Sequence, residues 1–140
     1  MTNDLTRFID AQQNDYENAL SEIRAGRKRS HWMWYIFPQI GGLGFSEMSR
    51  RYAIKDLQEA KEYLRHPVLG RRLKEISSVL LNLQENNATQ IFGTPDDMKL
   101  RSSMTLFASV SDADEVFEKV LDKYFGGKRD EATLNRLGAF

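Results

Sequence analysis

The chain contains no cysteine among its 140 residues. This absence excludes disulfide scaffolds, thiol nucleophiles and cysteine-ligated zinc or iron–sulfur sites. Histidine is scarce as well: His31 and His66 are the only two, they lie on different predicted elements, and no HExxH pattern is present. The sequence also lacks the glycine motifs that bind dinucleotides or phosphates. We therefore expect neither a metal site nor a resident cofactor.

Long hydrophobic runs and an excess of one charge are also missing. No run approaches the ~18 apolar residues that a membrane-spanning helix needs, and residues 1–15 lack the apolar stretch of a signal peptide. Lys+Arg and Asp+Glu are equal at 20 each, so no global field attracts nucleic acid or anionic lipid. These absences favour a soluble, cytoplasmic protein without a membrane or nucleic-acid partner.

Helical spacing of apolar residues covers most of the chain, which contains only three prolines. The pattern predicts a short helix near Leu5–Ile9, a break at Asn14, and a second helix to about Ala25. Further helices are predicted near residues 31–37, 46–54, 56–65, 67–83, 94–108, 111–125 and 130–137 from their caps and periodicity. No segment alternates as a strand does. We expect a single compact all-α domain over residues 1–140, with seven to nine mostly short helices, no sheet and no linker.

One segment, residues 27–39 with the sequence RKRSHWMWYIFPQ, is richer in aromatic and polar residues than a plain helical core requires. Both tryptophans, a histidine and two further aromatics lie within seven residues, directly after three cations. These aromatics could simply supply core volume. Alternatively the segment forms a pocket wall, where Trp32 or Trp34 stacks on a ring while Arg29, Ser30, His31 and free helix-start amides hold an anion.

A second segment, residues 92–107, places Asp96, Lys99 and Ser103 on one face of a predicted helix, since they are spaced i, i+3, i+7. Hydroxyl residues continue along this helix to Thr105. The structural explanation is a surface ion pair plus hydroxyls that bond to the preceding turn. The functional explanation is a polar strip that binds the hydroxyls or phosphate of a ligand.

These motifs resemble the uncharacterised family known as domain of unknown function 1810. The residues that carry the resemblance are 29–39, 42–54, 66–73, 92–107 and 123–134, so it covers nearly the whole chain. It implies a small all-helical fold and no established activity. Some bacterial members carry the label calpastatin-like, but this chain lacks the disordered, repeat-rich character of that inhibitor, and the label implies no mechanism here.

We hypothesise that a pocket between the tryptophan-rich helix and the helix of residues 96–107 binds a small, ring-containing anion, such as a nucleotide derivative. The candidate binding residues are Arg29, His31, Trp32, Trp34, Gln39, Ser49, Asp96, Lys99, Ser103 and Thr105. If the pocket is catalytic, hydrolysis or glycosyl-bond cleavage with an acid such as Asp96 fits its residues. The alternative is a non-enzymatic protein-interaction module. A nucleic-acid site at the basic residues 24–29 is a third, weaker hypothesis, since no second basic stripe accompanies them.

Overall fold

The computed structural model describes residues 5–138, and this part of the chain forms nine α-helices and no sheet. The helices are α1 (Thr6–Arg24), α2 (Met33–Ile36), α3 (Glu47–Arg51), α4 (Leu57–Arg65), α5 (Leu69–Asn82), α6 (Ala88–Phe92), α7 (Asp96–Ala108), α8 (Val116–Phe125) and α9 (Glu131–Leu137). Within the same range, no helix has the length and apolar character needed to cross a bilayer. The all-α fold expected from the sequence is confirmed.

Helix α7 lies at the centre of the fold. It contacts α4, α6, α8 and α9, and side chains on nearly all its sides are buried, including Leu100, Met104 and Phe107. A helix surrounded in this way requires small residues where its neighbours approach closely. This explains why serine and threonine recur in its interior despite their modest helix propensity.

The break predicted near Asn14 is wrong, because α1 runs without interruption from Thr6 to Arg24. Asn14, the residue that suggested the break, is an exposed position inside the helix, and polar residues on either side of it have partners in distant parts of the chain. Gln12 is buried, and its Nε2 donates hydrogen bonds to the Tyr35 carbonyl at 2.7 Å and to the Tyr63 hydroxyl at 2.9 Å. Asp15 accepts a hydrogen bond from the Tyr35 hydroxyl. Long-range contacts therefore satisfy polar groups of α1 on both sides of the predicted break.

Four predicted helix starts are confirmed by their caps. The side chains of Ser46, Asp56 and Asp130 each accept a hydrogen bond from the amide three residues ahead, which satisfies a backbone donor that has no partner within the helix. His66 Nδ1 likewise accepts from the amides of Val68 and Leu69. These caps fix the corners between consecutive helices.

Two other helix predictions need correction. Residues 88–92, for which the sequence predicts no helix, form the short helix α6, capped by Asn87. Helix α8 begins at Val116 rather than near Ser111, since the Asp114 side chain accepts a hydrogen bond from the Val116 amide. In both cases an Asn or Asp side chain accepts a hydrogen bond from the amide two residues ahead.

Candidate functional site

A cleft of about 440 Å³ lies between the segment of residues 39–52, the start of α7 and the start of α9. Its lining includes Trp34 from α2, Gln39, the glycine-rich loop of residues 41–46, Lys99 from α7 and Asp130 before α9. This volume falls within the range of small-molecule sites. Residues from three separate parts of the sequence, 34–52, 95–102 and 130–132, therefore form one concave surface.

Exposed apolar side chains are concentrated at this cleft. The described chain has three exposed large hydrophobic residues, Phe45, Met98 and Leu57. Two of them line the cleft: Phe45, which is 83% exposed, and Met98, which is 45% exposed. Trp34 is half-buried, and its indole N–H donates no hydrogen bond to any described residue. An apolar surface rimmed by polar groups is typical of a binding site.

The glycine-rich loop takes a shape that side chains would disturb. A Cβ atom at Gly42, where φ is +94°, would lie 2.4 Å from the guanidinium carbon of Arg136, and one at Gly44 would lie 2.7 Å from Ser49 Oγ. Arg136 Nε in turn donates a hydrogen bond to the Gly41 carbonyl. Between residues 42 and 46, no amide donates to another residue of the described chain, so these amides are open to solvent or a ligand.

Lys99 places a positive charge in the cleft. Its ammonium nitrogen lies 4.6 Å from the centre of the Trp34 ring and 3.3 Å from Asp96 Oδ1. The same carboxylate is held more closely by Lys28, whose ammonium nitrogen is 2.8 Å from Asp96 Oδ2. Because two ammonium groups share one carboxylate, the cluster keeps a net charge of about +1.

Asp130 brings a carboxylate to the same cleft. Its Oδ2 accepts hydrogen bonds from the Ser102 hydroxyl and from the amide and hydroxyl of Thr133, while its own amide donates to Thr105 Oγ1 at 2.9 Å. The hydroxyls of Ser102 and Thr105 thus tie α7 to the start of α9. Thr105 is fully buried and does not line the cleft.

The chain's own Glu22 occupies the anion site predicted before the tryptophan-rich helix. Its Oε1 accepts hydrogen bonds from the amides of Arg29 and Ser30, at 2.7 and 3.0 Å, and from Trp32 Nε1 at 2.9 Å. Its Oε2 accepts from Ser30 Oγ and Asn18 Nδ2. Burial acts to raise the pKa of Glu22, but these hydrogen bonds outweigh burial and lower the pKa to about 2.

Three expectations for this segment change. Ser30, which directly precedes the helix predicted over residues 31–37, neither caps α2, which starts at Met33 with no side-chain cap, nor is free to hold a ligand anion, since its hydroxyl binds Glu22. Trp32 is 1% exposed, so it stands in the core and offers no face to a ligand. His31 is exposed but does not line the cleft.

The ten candidate residues thus divide into groups. Four of them line the cleft: Trp34, Gln39, Ser49 and Lys99. Asp96 does not line the cleft but forms an ion pair with Lys99, which does. The other five do not line it: Arg29, His31, Trp32, Ser103 and Thr105. The sequence hypotheses missed Phe45, Met98 and Asp130. The sequence offered one signal for Phe45, an aromatic residue in a glycine-rich loop. Asp130 gave no such signal, because its position is fully explained by its role as the cap of α9. No three His, Asp or Glu side chains of residues 5–138 lie together as a metal site requires.

Ser103 allows a direct test of the difference between a core serine and a ligand-binding serine. It is fully buried, and its hydroxyl has no hydrogen-bond partner among the described residues. Because an unpaired buried hydroxyl is unfavourable, Ser103→Ala should leave the free energy of unfolding unchanged or raise it by up to about 1 kcal/mol. Ser102→Ala, which removes the bonds to Met98 and Asp130, should lower it by about 1 kcal/mol. Urea denaturation measures both, and a loss for Ser103→Ala as large as that for Ser102→Ala would contradict this assignment.

Comparisons with other proteins agree with this fold. The family model described as "Protein of unknown function (DUF1810)" matches residues 2–137, which confirms the resemblance carried by the sequence motifs. The crystal structure of the conserved hypothetical protein Rv1873 from Mycobacterium tuberculosis is 49% identical in sequence, has a TM-score of 0.94, and is matched over 96% of each chain. No curated protein matches this chain. Neither description names an activity.

Proposed function

Because the chain belongs to the family of unknown function DUF1810, whose description assigns no activity, we propose a function from the chemistry of the cleft. The cleft binds a small, ring-containing anion such as a nucleotide derivative. The observation that carries this proposal is the shared location of exposed apolar side chains and an incompletely neutralised cation. Phe45, Met98 and Trp34 line the same cleft as Lys99. Leaving large apolar side chains in water is unfavourable, and a ligand ring would cover them.

The anionic part of the ligand has two kinds of donor available. Lys99 shares Asp96 with Lys28, so its charge is only partly balanced. The amides of residues 42–46 have no acceptor in the described chain, and loop amides of this kind commonly bind phosphate or carboxylate oxygens. Since the Lys99 ammonium lies over the Trp34 ring, one ligand could place its anion on Lys99 and its ring against Trp34 or Phe45.

We assign binding to the cleft and no reaction. Asp96, the acid suggested for hydrolysis or glycosyl-bond cleavage, is held by two ammonium groups and is not among the lining residues. Asp130 is the one carboxylate that lines the cleft within residues 5–138, and three donors engage its Oδ2. A general acid–base pair would require a second proton-transfer group within reach of the same atoms.

Thermal-shift and calorimetric titrations with nucleotides, nucleosides, NAD, ADP-ribose and sugar phosphates test this proposal. A ligand present at about 100 times its Kd stabilises the fold by about 2.7 kcal/mol, which raises Tm by about 5–10 °C for a chain of this size. Trp34→Ala and Lys99→Met should each weaken binding by about tenfold or more, because they remove the ring contact and the cation.

Lys119→Met provides the matched control. Lys119 lies on α8 and pairs four residues away with the exposed Glu115, so its loss should leave binding unchanged. Circular dichroism must show that all three variants remain folded. If no probe shifts the wild-type Tm, the binding proposal is overturned, and the exposed Phe45 then favours the alternative, a protein-interaction module. If Lys119→Met weakens binding as much as Lys99→Met, the effect of Lys99 is not specific to the cleft.

A further inference from the structure

One oxygen of the Asp130 carboxylate accepts no hydrogen bond from the described residues. The side chain is only 15% exposed, and Oδ2 takes all three of the hydrogen bonds donated to this carboxylate within the described chain. The Oδ1 atom accepts no hydrogen bond within the described chain and forms only a long ion pair, 3.9 Å, with the Arg101 guanidinium. A carboxylate can accept about four hydrogen bonds, and mostly buried acceptors are normally satisfied. Oδ1 therefore keeps its capacity to accept hydrogen bonds, on a residue that lines the cleft.

The position of this acceptor is fixed before any ligand arrives. The hydroxyl and amide of Thr133 hold the side chain from α9, the Ser102 hydroxyl holds it from α7, and the Asp130 amide is bound to Thr105. A site group locked by its supporting hydrogen bonds loses little entropy when it binds. Asp130 is thus able to select ligands by the donor that they present.

The remaining polar groups of the cleft indicate which donor fits. The side-chain amide of Gln39 has no hydrogen-bond partner in the described chain, and the hydroxyls of Ser46 and Ser49 lie 2.6 Å apart on the same lining. Amide and hydroxyl groups both donate and accept, and so does a ligand hydroxyl, whereas an ammonium only donates. A carboxylate surrounded by such groups matches neighbouring hydroxyls on a sugar better than it matches a cation.

We infer that Asp130 Oδ1 accepts a hydrogen bond from a ligand hydroxyl, and that the ligand is a nucleoside phosphate whose sugar keeps its vicinal 2′ and 3′ hydroxyls. This inference rests on the proposed function, and it adds both a substrate class and a specificity-determining residue. The ring meets Trp34 or Phe45, the phosphate meets Lys99 and the loop amides, and the sugar meets Asp130.

The first test varies the ligand and needs no variant of the protein. The probes are the 5′-monophosphates of adenosine, guanosine, cytidine and uridine, and the 2′,3′-dideoxy form of each, titrated calorimetrically into the wild-type chain. The ribonucleotide that binds best should bind about tenfold or more tightly than its dideoxy form, because a hydrogen bond to a charged group is lost. Equal affinities would overturn the inference while the proposed function stands. No binding by any of the eight probes would also overturn the inference, whereas the proposed function falls only if the wider set of nucleotides, NAD, ADP-ribose and sugar phosphates fails to bind as well.

The second test varies the protein. In Asp130→Asn, the side-chain oxygen must accept the hydrogen bond from the Thr133 amide, because the NH₂ group cannot accept it. The NH₂ group therefore takes the place of Oδ1. This replaces the acceptor with a donor. The preference for the ribonucleotide should then fall to within about threefold, with the affinity for the dideoxy form unchanged. Asp10→Asn, an exposed change on α1, should keep the full preference. A full preference retained by Asp130→Asn would overturn the role of this residue. If that variant does not fold, the ligand-side comparison still decides the inference.

Discussion

Replacing Gly70 with alanine should lower the free energy of unfolding by about 3 kcal/mol. A Cβ atom at this position would lie 2.0 Å from the Leu64 carbonyl oxygen and 2.8 Å from its carbonyl carbon. These are backbone atoms in the last turn of α4, so no side-chain rotation relieves the overlap. The Gly70 amide also donates to the His66 carbonyl at 2.9 Å, which ties the start of α5 to the corner that would have to move.

The sign of this effect is informative because glycine-to-alanine substitutions in helices usually stabilise, by up to about 1 kcal/mol. Ser78→Ala is the matched control, since Ser78 is exposed on the same helix and should change stability by no more than about 0.5 kcal/mol, in the stabilising direction. Equilibrium urea denaturation of both variants measures the difference. A Gly70→Ala variant as stable as the wild type would show that α4 and α5 do not approach as closely as this structure has them.

Glu22→Gln should destabilise the fold by about 2–4 kcal/mol at pH 7. The carboxylate of Glu22 accepts five hydrogen bonds, including those from the Arg29 amide and the Trp32 indole. A glutamine retains one acceptor oxygen, while its NH₂ group would face donors, leaving buried N–H or O–H groups unsatisfied. The segment that carries Trp32 and Trp34 would lose the anchor that holds it on α1.

The size of this loss should depend on pH in a defined direction. The pKa of Glu22 is lowered from 4.5 to about 2 in the folded chain. Between those values the unfolded chain binds a proton at this position and the folded chain does not, so stability rises with pH across that window. The contribution of Glu22 is complete above about pH 4.5 and declines as the pH falls towards 2. The difference between wild type and Glu22→Gln should therefore narrow over that interval.

Urea denaturation at pH 7, 4 and 3 measures this dependence. Glu118→Gln is the control, because Glu118 pairs with Arg129 while 59% of its side chain is exposed; its loss should change stability by less than about 1 kcal/mol. A difference between wild type and Glu22→Gln that stays constant from pH 7 to pH 3 would contradict the lowered pKa. Far-ultraviolet circular dichroism measures the fraction of folded protein at each pH.

Part of the candidate site was accessible from sequence. The segments containing Trp34, Gln39 and Lys99 were identified because aromatic and polar residues exceeded what a helical core needs, and the structure brings these three residues to one cleft. The same criterion also selected Trp32 and Ser103, which are buried. Composition alone could not separate neighbours such as Trp32 and Trp34, because which side of a short helix faces solvent depends on what packs against it.

The sequence by itself determined the helical class, the helix caps at Ser46, Asp56, His66 and Asp130, and the family. Apolar spacing and capping act over three or four residues, so they can be read without knowing where the chain goes next. Only the tertiary structure decided that Glu22 fills the anion site before the tryptophan-rich helix, that α1 is continuous, and that Asp130 faces the same cleft as Lys99. Each of these joins residues that are apart along the chain, and their meeting is set by the packing of helices around α7 rather than by local pattern.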